Sequence, residues 1–423
     1  MAAGAADPYG REGLPLTEAR QQVLSAIRNG QARRSEPSIE TIRLADALER
    51  VNAVPVLARA DVPGFRASIM DGYALGQDQR PVLDDSWSLV GRSAPGAPYP
   101  TVLARGEAIR ILTGAPLPEG ADWVLPQELV QKENDTLRLN REASDNPWIR
   151  PADEECRQGT TLMEPGLRLG LADLARAASC GVHQLSVHRQ PRIGLLISGD
   201  ELVPPGDPRP NGVIWESNST LLKGLLLRLG YHAWDCRVVA DQPQALRETI
   251  LELSSECDVL VSTGGVSAGD SDWIRPLMTE LGQVEFWKLF LKPGRPFAFG
   301  FVGNQVPFFG LPGNPVAAAI TALQLLWPAL QLMEGQQQPE LFPRLRVCLE
   351  TAYRRRPGRP ELARGSLICS ADGQLRAQVA GSQASSRIGS LRNADLLLEI
   401  PAESGDLERG DLLWAQLLRR RIL

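Results

Sequence analysis

Between Arg192 and Pro328, apolar stretches short enough for strands alternate with segments of helical length, and this constrains the fold more than any other feature of the chain. Residues 193–197, 236–239, 258–261 and 284–291 predict strands, and residues 219–229, 243–254 and 272–281 predict helices. A hairpin pairing 297–301 with 305–309 around Gly303-Asn304 follows, then a long helix from Asn314 that Pro328 should kink or end. Strands alternating with helices of this length predict a doubly wound, mostly parallel sheet. The carboxyl ends of such strands face one crevice, where ligands bind.

At 423 residues the chain is too long for one ordinary core. Residues 1–15 read as a disordered leader. A linking domain is expected from residues 16–60 and 143–185, with a helix over 16–29 (Thr17 as N-cap, Gly30 as stop), a short helix then a strand over 42–57, and a helix over 170–180 before Gly181. Residues 61–142 carry short strand-like runs (87–90, 107–111, 123–125, 136–139) punctuated by Gly and Pro, and predict a β-rich domain. The α/β domain spans 186–335. Residues 336–423 form a last small β domain, with strands at 344–351, 367–369, 375–379 and 395–400.

Composition removes several function classes. Lys+Arg number 45 against 50 Asp+Glu, a formal charge of −5, which argues against a whole-protein nucleic-acid binder while leaving room for local basic pockets. Six scattered cysteines without a C-x-x-C pair, and three histidines, do not suit a zinc or iron–sulfur site. The N-terminus lacks the layout of a secretion signal, and no uninterrupted apolar run reaches the roughly 18 residues of a membrane span. A cytoplasmic protein is expected.

Five polar or glycine-rich clusters follow the proposed strands: Ser198 to Glu201, Asp241, Thr263 to Asp270, Lys288 to Pro296, and Gly310 to Pro315. Gly264 and Gly265 allow backbone to approach a ligand, and a helix starting near Asp272 offers free N–H groups to an oxyanion. Asp270 and Asp272 supply hard oxygen ligands for Mg²⁺; the same pattern also fits a plain glycine turn with an Asp helix cap. Lys288, Lys292 and Arg295 place three cations within eight residues, with strand alternation putting the two lysines on one face. Asn314 and Pro315 fit an ordinary helix start or a rigid anion-facing turn. Met70 to Ala74 and Thr113 to Pro118 read alone as turns.

In order along the chain stand Met-Asp-Gly-Tyr-Ala (70–74), Thr-Gly-Ala-Pro-Leu-Pro (113–118), Ser-Gly-Asp-Glu-Leu (198–202), Ser-Thr-Gly-Gly-Val-Ser-Ala-Gly-Asp (262–270), Lys-Pro-Gly-Arg-Pro-Phe-Ala-Phe-Gly (292–300) and Gly-Leu-Pro-Gly-Asn-Pro (310–315). Together they resemble the MoeA family of molybdenum insertases, which includes the E domain of gephyrin, from about Leu16 to the C-terminus. The resemblance implies an elongated four-domain subunit that dimerises, with a cleft between the α/β domain of one subunit and the β-rich domain of the other. It implies hydrolysis of adenylylated molybdopterin and transfer of molybdate to its dithiolene, with Mg²⁺ and release of AMP. Asp71 and Thr113 would then reach the partner's cleft. Glu201, Asp241, Asp270 and Asp272 would serve the metal, the adenylate and the attacking water, with Glu201, Asp270 and Asp272 as metal ligands. Lys288, Lys292, Pro312 and Pro315 would frame the molybdate and pterin-phosphate end. Gly264, Gly265, Ser267, Arg295, Asn314, Arg359 and Ser385 would line the substrate, joined by Arg150.

One departure from the family pattern is plain. After Arg150 the chain reads Pro-Ala-Asp-Glu-Glu, with Asp153 where the family has glycine and Glu155 where it has aspartate. A left-handed backbone at that glycine would strain Asp153. The α/β domain alone also resembles MogA-like pterin adenylyltransferases, which lack the 70–74 and 113–118 clusters. A non-catalytic scaffold is the third reading. Partners in the first reading are a MogA-like enzyme upstream and molybdoenzymes or carriers downstream.

Overall fold

The computed structural model describes residues 13–31, 38–232, 234–266, 273–303, 305–379 and 381–418. At its centre is a six-stranded sheet in the spatial order Trp234–Val239, Ile193–Ser198, Val259–Thr263, Val306–Leu311, Ala298–Val302, Gly282–Trp287. The first four strands are mutually parallel; Ala298–Val302 runs antiparallel to both of its neighbours. Gly282–Trp287 therefore points the same way as the parallel four, and five of the six carboxyl ends share one edge of the sheet.

Both faces are covered, so alternate residues of the same strand enter different cores. Ile193, Leu195 and Ile197 face one side with Leu222 and Leu226 of the helix Asn218–Arg228. Leu196 faces the other with Ile250 of Pro243–Glu256 and Met278 of Ile274–Leu281. The apolar run Pro315–Met333, long enough to cross a membrane, lies largely buried against the first face. Pro328 neither ends nor breaks it. A π-helical turn over Ala322–Leu326 precedes the proline and absorbs its missing N–H and ring bulk.

Helix Leu16–Gln31 was expected to belong to the linking domain. Its buried residues Ala19, Val23 and Ile27 instead join the first α/β core beside Trp327. The helix continues past Gly30 and begins at Leu16, ahead of Thr17. Of the expected leader, residues 1–12 lie outside the described residues, while Leu14 is tied by backbone hydrogen bonds to Lys288 (3.0 Å) and Phe290 (2.9 Å). The linking domain proper pairs Ile39–Arg43 with Gln184–His188 and Val56–Leu57 with Thr161–Met163. Its expected helix after residue 42 is only the turn Leu44–Asp46. Leu171–Ser179 is helical, with Gly181 beyond it at φ +80°.

The β-rich domain is a six-stranded sheet ordered Trp123–Pro126, Gly72–Leu75, Glu107–Ile111, Ser86–Ser93, Thr136–Leu139, Val130–Glu133. Gly72 to Ala74, read from sequence as part of a turn, is strand. The last domain closes into a five-stranded barrel, Arg344–Leu349, Leu375–Val379, Glu361–Cys369, Leu396–Ile400, Leu412–Leu417. Sequence patterning found only the last three residues of Glu361–Cys369, because Glu361 and Arg364 are charged yet buried.

Candidate active site

The loops leaving three adjacent parallel strands meet. Gly264 follows Val259–Thr263 at φ +87°, and a Cβ on it would come within 2.6 Å of the Ser198 carbonyl oxygen, so the close approach and the backbone both require glycine. On the neighbouring turn after Val306–Leu311, Gly313 sits where an added Cβ would lie 3.6 Å from the Gly264 Cα. Asn218 Nδ2 donates to the Gly313 carbonyl at 2.8 Å and reaches Thr263 Oγ1 at 3.4 Å. Glu216, buried, accepts from the Ser219 N–H at 2.8 Å and from its hydroxyl, fixing the start of the helix. Gly265 also has positive φ, +63°. Ser267, Asp270 and Asp272 lie outside the described residues.

Carboxylates gather at one side of this edge. Asp241 follows Trp234–Val239, and its backbone N–H donates to Asp200 Oδ1 at 2.9 Å. Burial pushes the Asp241 carboxyl above the usual aspartate range, and the negative charges of Asp200 and Glu201 add to the rise. A carboxyl whose folded pKa exceeds its unfolded value stabilises the fold while protonated and loses that contribution as pH rises through the folded pKa. Asp241→Asn is therefore expected to raise the urea midpoint at pH 7.5 relative to the parent, and to leave the two proteins similar in acid. Activity is expected to fall by about 10²-fold or more if Asp241 handles a proton.

Cations gather at the other side. The strand Gly282–Trp287 stops before Lys288, which takes φ +65°, so strand alternation does not relate Lys288 to Lys292 as the sequence implied. Lys292 instead is held by the barrel: its N–H donates to the Pro360 carbonyl at 2.8 Å, and the Leu362 N–H donates to the Lys292 carbonyl at 2.9 Å. Arg359 Nη1 donates to the Leu291 carbonyl at 3.0 Å. Its guanidinium is held below the ordinary arginine range by burial and by the charge of Arg295. Ser385, also from the barrel, accepts the Val316 N–H at 3.2 Å, next to Pro312, Asn314 and Pro315. Asn314 caps the helix by position, without a side-chain cap bond.

Asp71 and Thr113 lie together in the β-rich domain because Gly72 pairs with Ile111 in an antiparallel ladder. Asp71 Oδ1 accepts from the Thr113 N–H and Oγ1, both at 2.7 Å, and these bonds, the backbone one foremost, hold the carboxyl below its usual range. Arg150 pairs with Ala67 across a short ladder, and the Ser68 N–H donates to Ala115 at 3.0 Å, so Arg150 belongs to the same neighbourhood. The ion pair of Arg150 is with Glu154 at 2.7 Å. Asp153 bonds Arg157 at 2.7 Å, and it is not among the residues with positive φ, so the feared strain is absent there.

Three family profiles tile the chain: the MoeA N-terminal region (domain I and II) over residues 14–181, a "Probable molybdopterin binding domain" over 194–332, and the MoeA C-terminal region (domain IV) over 346–418. The chain is 33% identical over 400 residues to a molybdopterin molybdenumtransferase of Haemophilus influenzae, covering 94% of this chain and 97% of that one. It belongs to the molybdopterin molybdenumtransferase family. A second relative, the Drosophila melanogaster molybdenum cofactor synthesis protein cinnamon, is 31% identical over 94% of this chain, which spans 65% of that protein's length. The crystal structure of the molybdopterin biosynthesis MoeA protein from Pyrococcus horikoshii superposes with a TM-score of 0.78 at 25% identity, covering 96% of this chain and all of the other. The multidomain α/β architecture is thus that of MoeA. Sequence reasoning did not single out Asn218, Glu216 or Glu361 in this region. The polar run Glu216-Ser-Asn before an apolar helix was the available signal for the first two; Glu361 carried none.

Proposed function

We propose that this MoeA-family chain transfers molybdenum from molybdate to the dithiolene of molybdopterin, acting on the adenylylated pterin and releasing AMP. The observation that carries the reading is the common edge of the α/β sheet. Carboxylates (Asp200, Glu201, Asp241) sit at the ends of the first two strands and cations (Lys288, Lys292, Arg295, Arg359) at the end of the sixth, with the glycine turns between. Four strand spacings separate Ile193–Ser198 from Gly282–Trp287, roughly 19 Å. That span suits a long anionic molecule, a pterin phosphate joined to a nucleotide, rather than a compact one. The crowding of Arg359 on Arg295 is relieved when an oxyanion such as molybdate lies against both.

In the hydrolytic step a water oxygen adds to the adenylate phosphorus, the phosphoanhydride P–O bond breaks, and the water proton passes to a carboxylate such as Asp241. Mg²⁺ would supply charge neutralisation at the phosphates. The donor chemistry fits it, since a cation offsets the mutual repulsion of Asp200, Glu201 and Asp241. Of the expected ligands, Glu201 is described while Asp270 and Asp272 are not, and among the described residues no three acidic, His or Cys groups form a metal cluster. We further propose a homodimer in which Asp71, Thr113 and Arg150 of one subunit complete the cleft of the other. The six cysteines are free, in keeping with a reducing cytoplasm. A MogA-like enzyme would supply the adenylylated substrate, and molybdoenzymes or carriers would receive the product.

The test is product analysis. Purified protein given adenylylated molybdopterin, Mg²⁺ and molybdate is expected to release AMP in step with formation of molybdenum cofactor. Consumption of ATP with build-up of adenylylated pterin would replace this reading with that of an adenylyltransferase.

A further inference from the structure

Glu361 opens the long barrel strand Glu361–Cys369, and its side chain is fully buried. Its Oε1 lies 3.0 Å from Lys292 Nζ and accepts the Tyr353 hydroxyl at 2.9 Å. Its Oε2 lies 3.4 Å from Arg355 Nε, too poorly aligned for a hydrogen bond, and has no bonding partner among the described residues. The backbone keeps the two residues side by side: Lys292 and Glu361 form a parallel bridge, closed by the bonds from Lys292 to Pro360 and from Leu362 to Lys292. Lys292 itself remains partly exposed.

A buried carboxylate is an expensive choice for a barrel interior, since an apolar residue of similar volume serves packing as well or better. Glu361 does something an apolar residue cannot. A lysine ammonium has three donors at the end of four rotatable bonds. With one donor committed to Glu361, the chain of Lys292 is pinned and the remaining donors are free to meet an oxyanion. The carboxylate does not cancel the site's positive charge, because Arg355, Arg359 and Arg364 also act on it, and Arg295 crowds Arg359.

We propose that Glu361 is a positioning residue for Lys292, by which the C-terminal barrel sets where the ammonium stands in the molybdate pocket of the α/β domain. This rests on the assignment of Lys292 to molybdate made above. The barrel is then part of the active site through Glu361 as well as through Arg359 and Ser385.

Steady-state kinetics with molybdate and adenylylated pterin varied separately test it. Glu361→Gln keeps the size and the tyrosine contact but loses the charge. It is expected to raise KM for molybdate roughly 10- to 100-fold, leaving KM for the pterin little changed. Glu361→Asp is expected to recover part of the loss. In a Lys292→Ala background, Glu361→Gln is expected to add nothing further, the signature of two residues acting as one unit. An unchanged molybdate KM in a folded Glu361→Gln protein overturns the proposal. So does an equal loss for both substrates accompanied by a lowered melting temperature, or losses that multiply in the double variant. If Lys292→Ala itself leaves molybdate dependence intact, the parent assignment of Lys292 fails, a result distinct from failure of Glu361 alone.

Discussion

Arg359→Ala is expected to lower kcat/KM for molybdate insertion by about 10²- to 10³-fold while the protein melts no lower than the parent. Arg359 is tied to the Leu291 carbonyl by one bond, and burial together with Arg295 disfavours its charge. A guanidinium held at that disadvantage adds little to folding, so its removal should relieve the fold even as it disarms the site. Arg359→Lys should restore only a small part of the activity. A lysine cannot bond the Leu291 carbonyl and present a planar pair of donors to an oxyanion at once. Thermal melting and initial rates at varied molybdate check both halves. A variant that loses activity only in proportion to lost stability would refute the assignment.

Arg168→Met is expected to do the opposite, destabilising the protein by about 3–5 kcal/mol with the chemistry of surviving folded enzyme little altered. Arg168 and Glu334 form a buried ion pair at 2.6 Å. The same guanidinium donates to Gln336 Oε1 at 3.0 Å, to the Tyr231 hydroxyl at 3.2 Å and to the Glu49 carbonyl. These bonds stitch the linking domain to the end of the buried helix of the α/β domain. Burial opposes the charge of Arg168, and Tyr231 and Glu334 more than offset it. With the arginine gone, the Glu334 carboxyl, which burial already raises above its usual range, loses its close counter-ion and keeps only Arg50, whose Nε is 3.9 Å away. Arg168→Met combined with Glu334→Leu should recover much of the loss, because the pair is replaced rather than broken. Urea unfolding of the two variants decides this; a double variant as unstable as the single one would show that the pair is not the cause.

Much of the fold was legible where the pattern and its physical cause coincide. The apolar runs 193–197 and 259–261 fit strands covered on both faces, and Gly-Gly after Thr263 marked a turn that needs positive φ. Legibility failed where a residue's role depends on something distant in sequence. Lys288 looked like the continuation of a strand, yet that strand ends at Trp287 because Lys288 turns to bond Phe297. The motif comparison singled out Asp153 and Glu155 after Arg150, whereas the ion pair of Arg150 is with Glu154, between them. The strand from Glu361 hid behind its charges, since no local pattern tells that Lys292, some 70 positions earlier, will neutralise one of them.

By itself, the sequence determined the order of the domains, the alternation that makes the central sheet, and the family, because these follow from local periodicity and from motifs in a fixed order. Tertiary structure alone decided that the helix at 16–31 belongs to the α/β core, that Arg168 joins two domains, and that the barrel's Glu361 reaches Lys292 in a loop of the central sheet. The physical reason is that burial and charge pairing are properties of an environment assembled from distant segments. A charged side chain reads as solvent-facing until the fold brings its counter-ion.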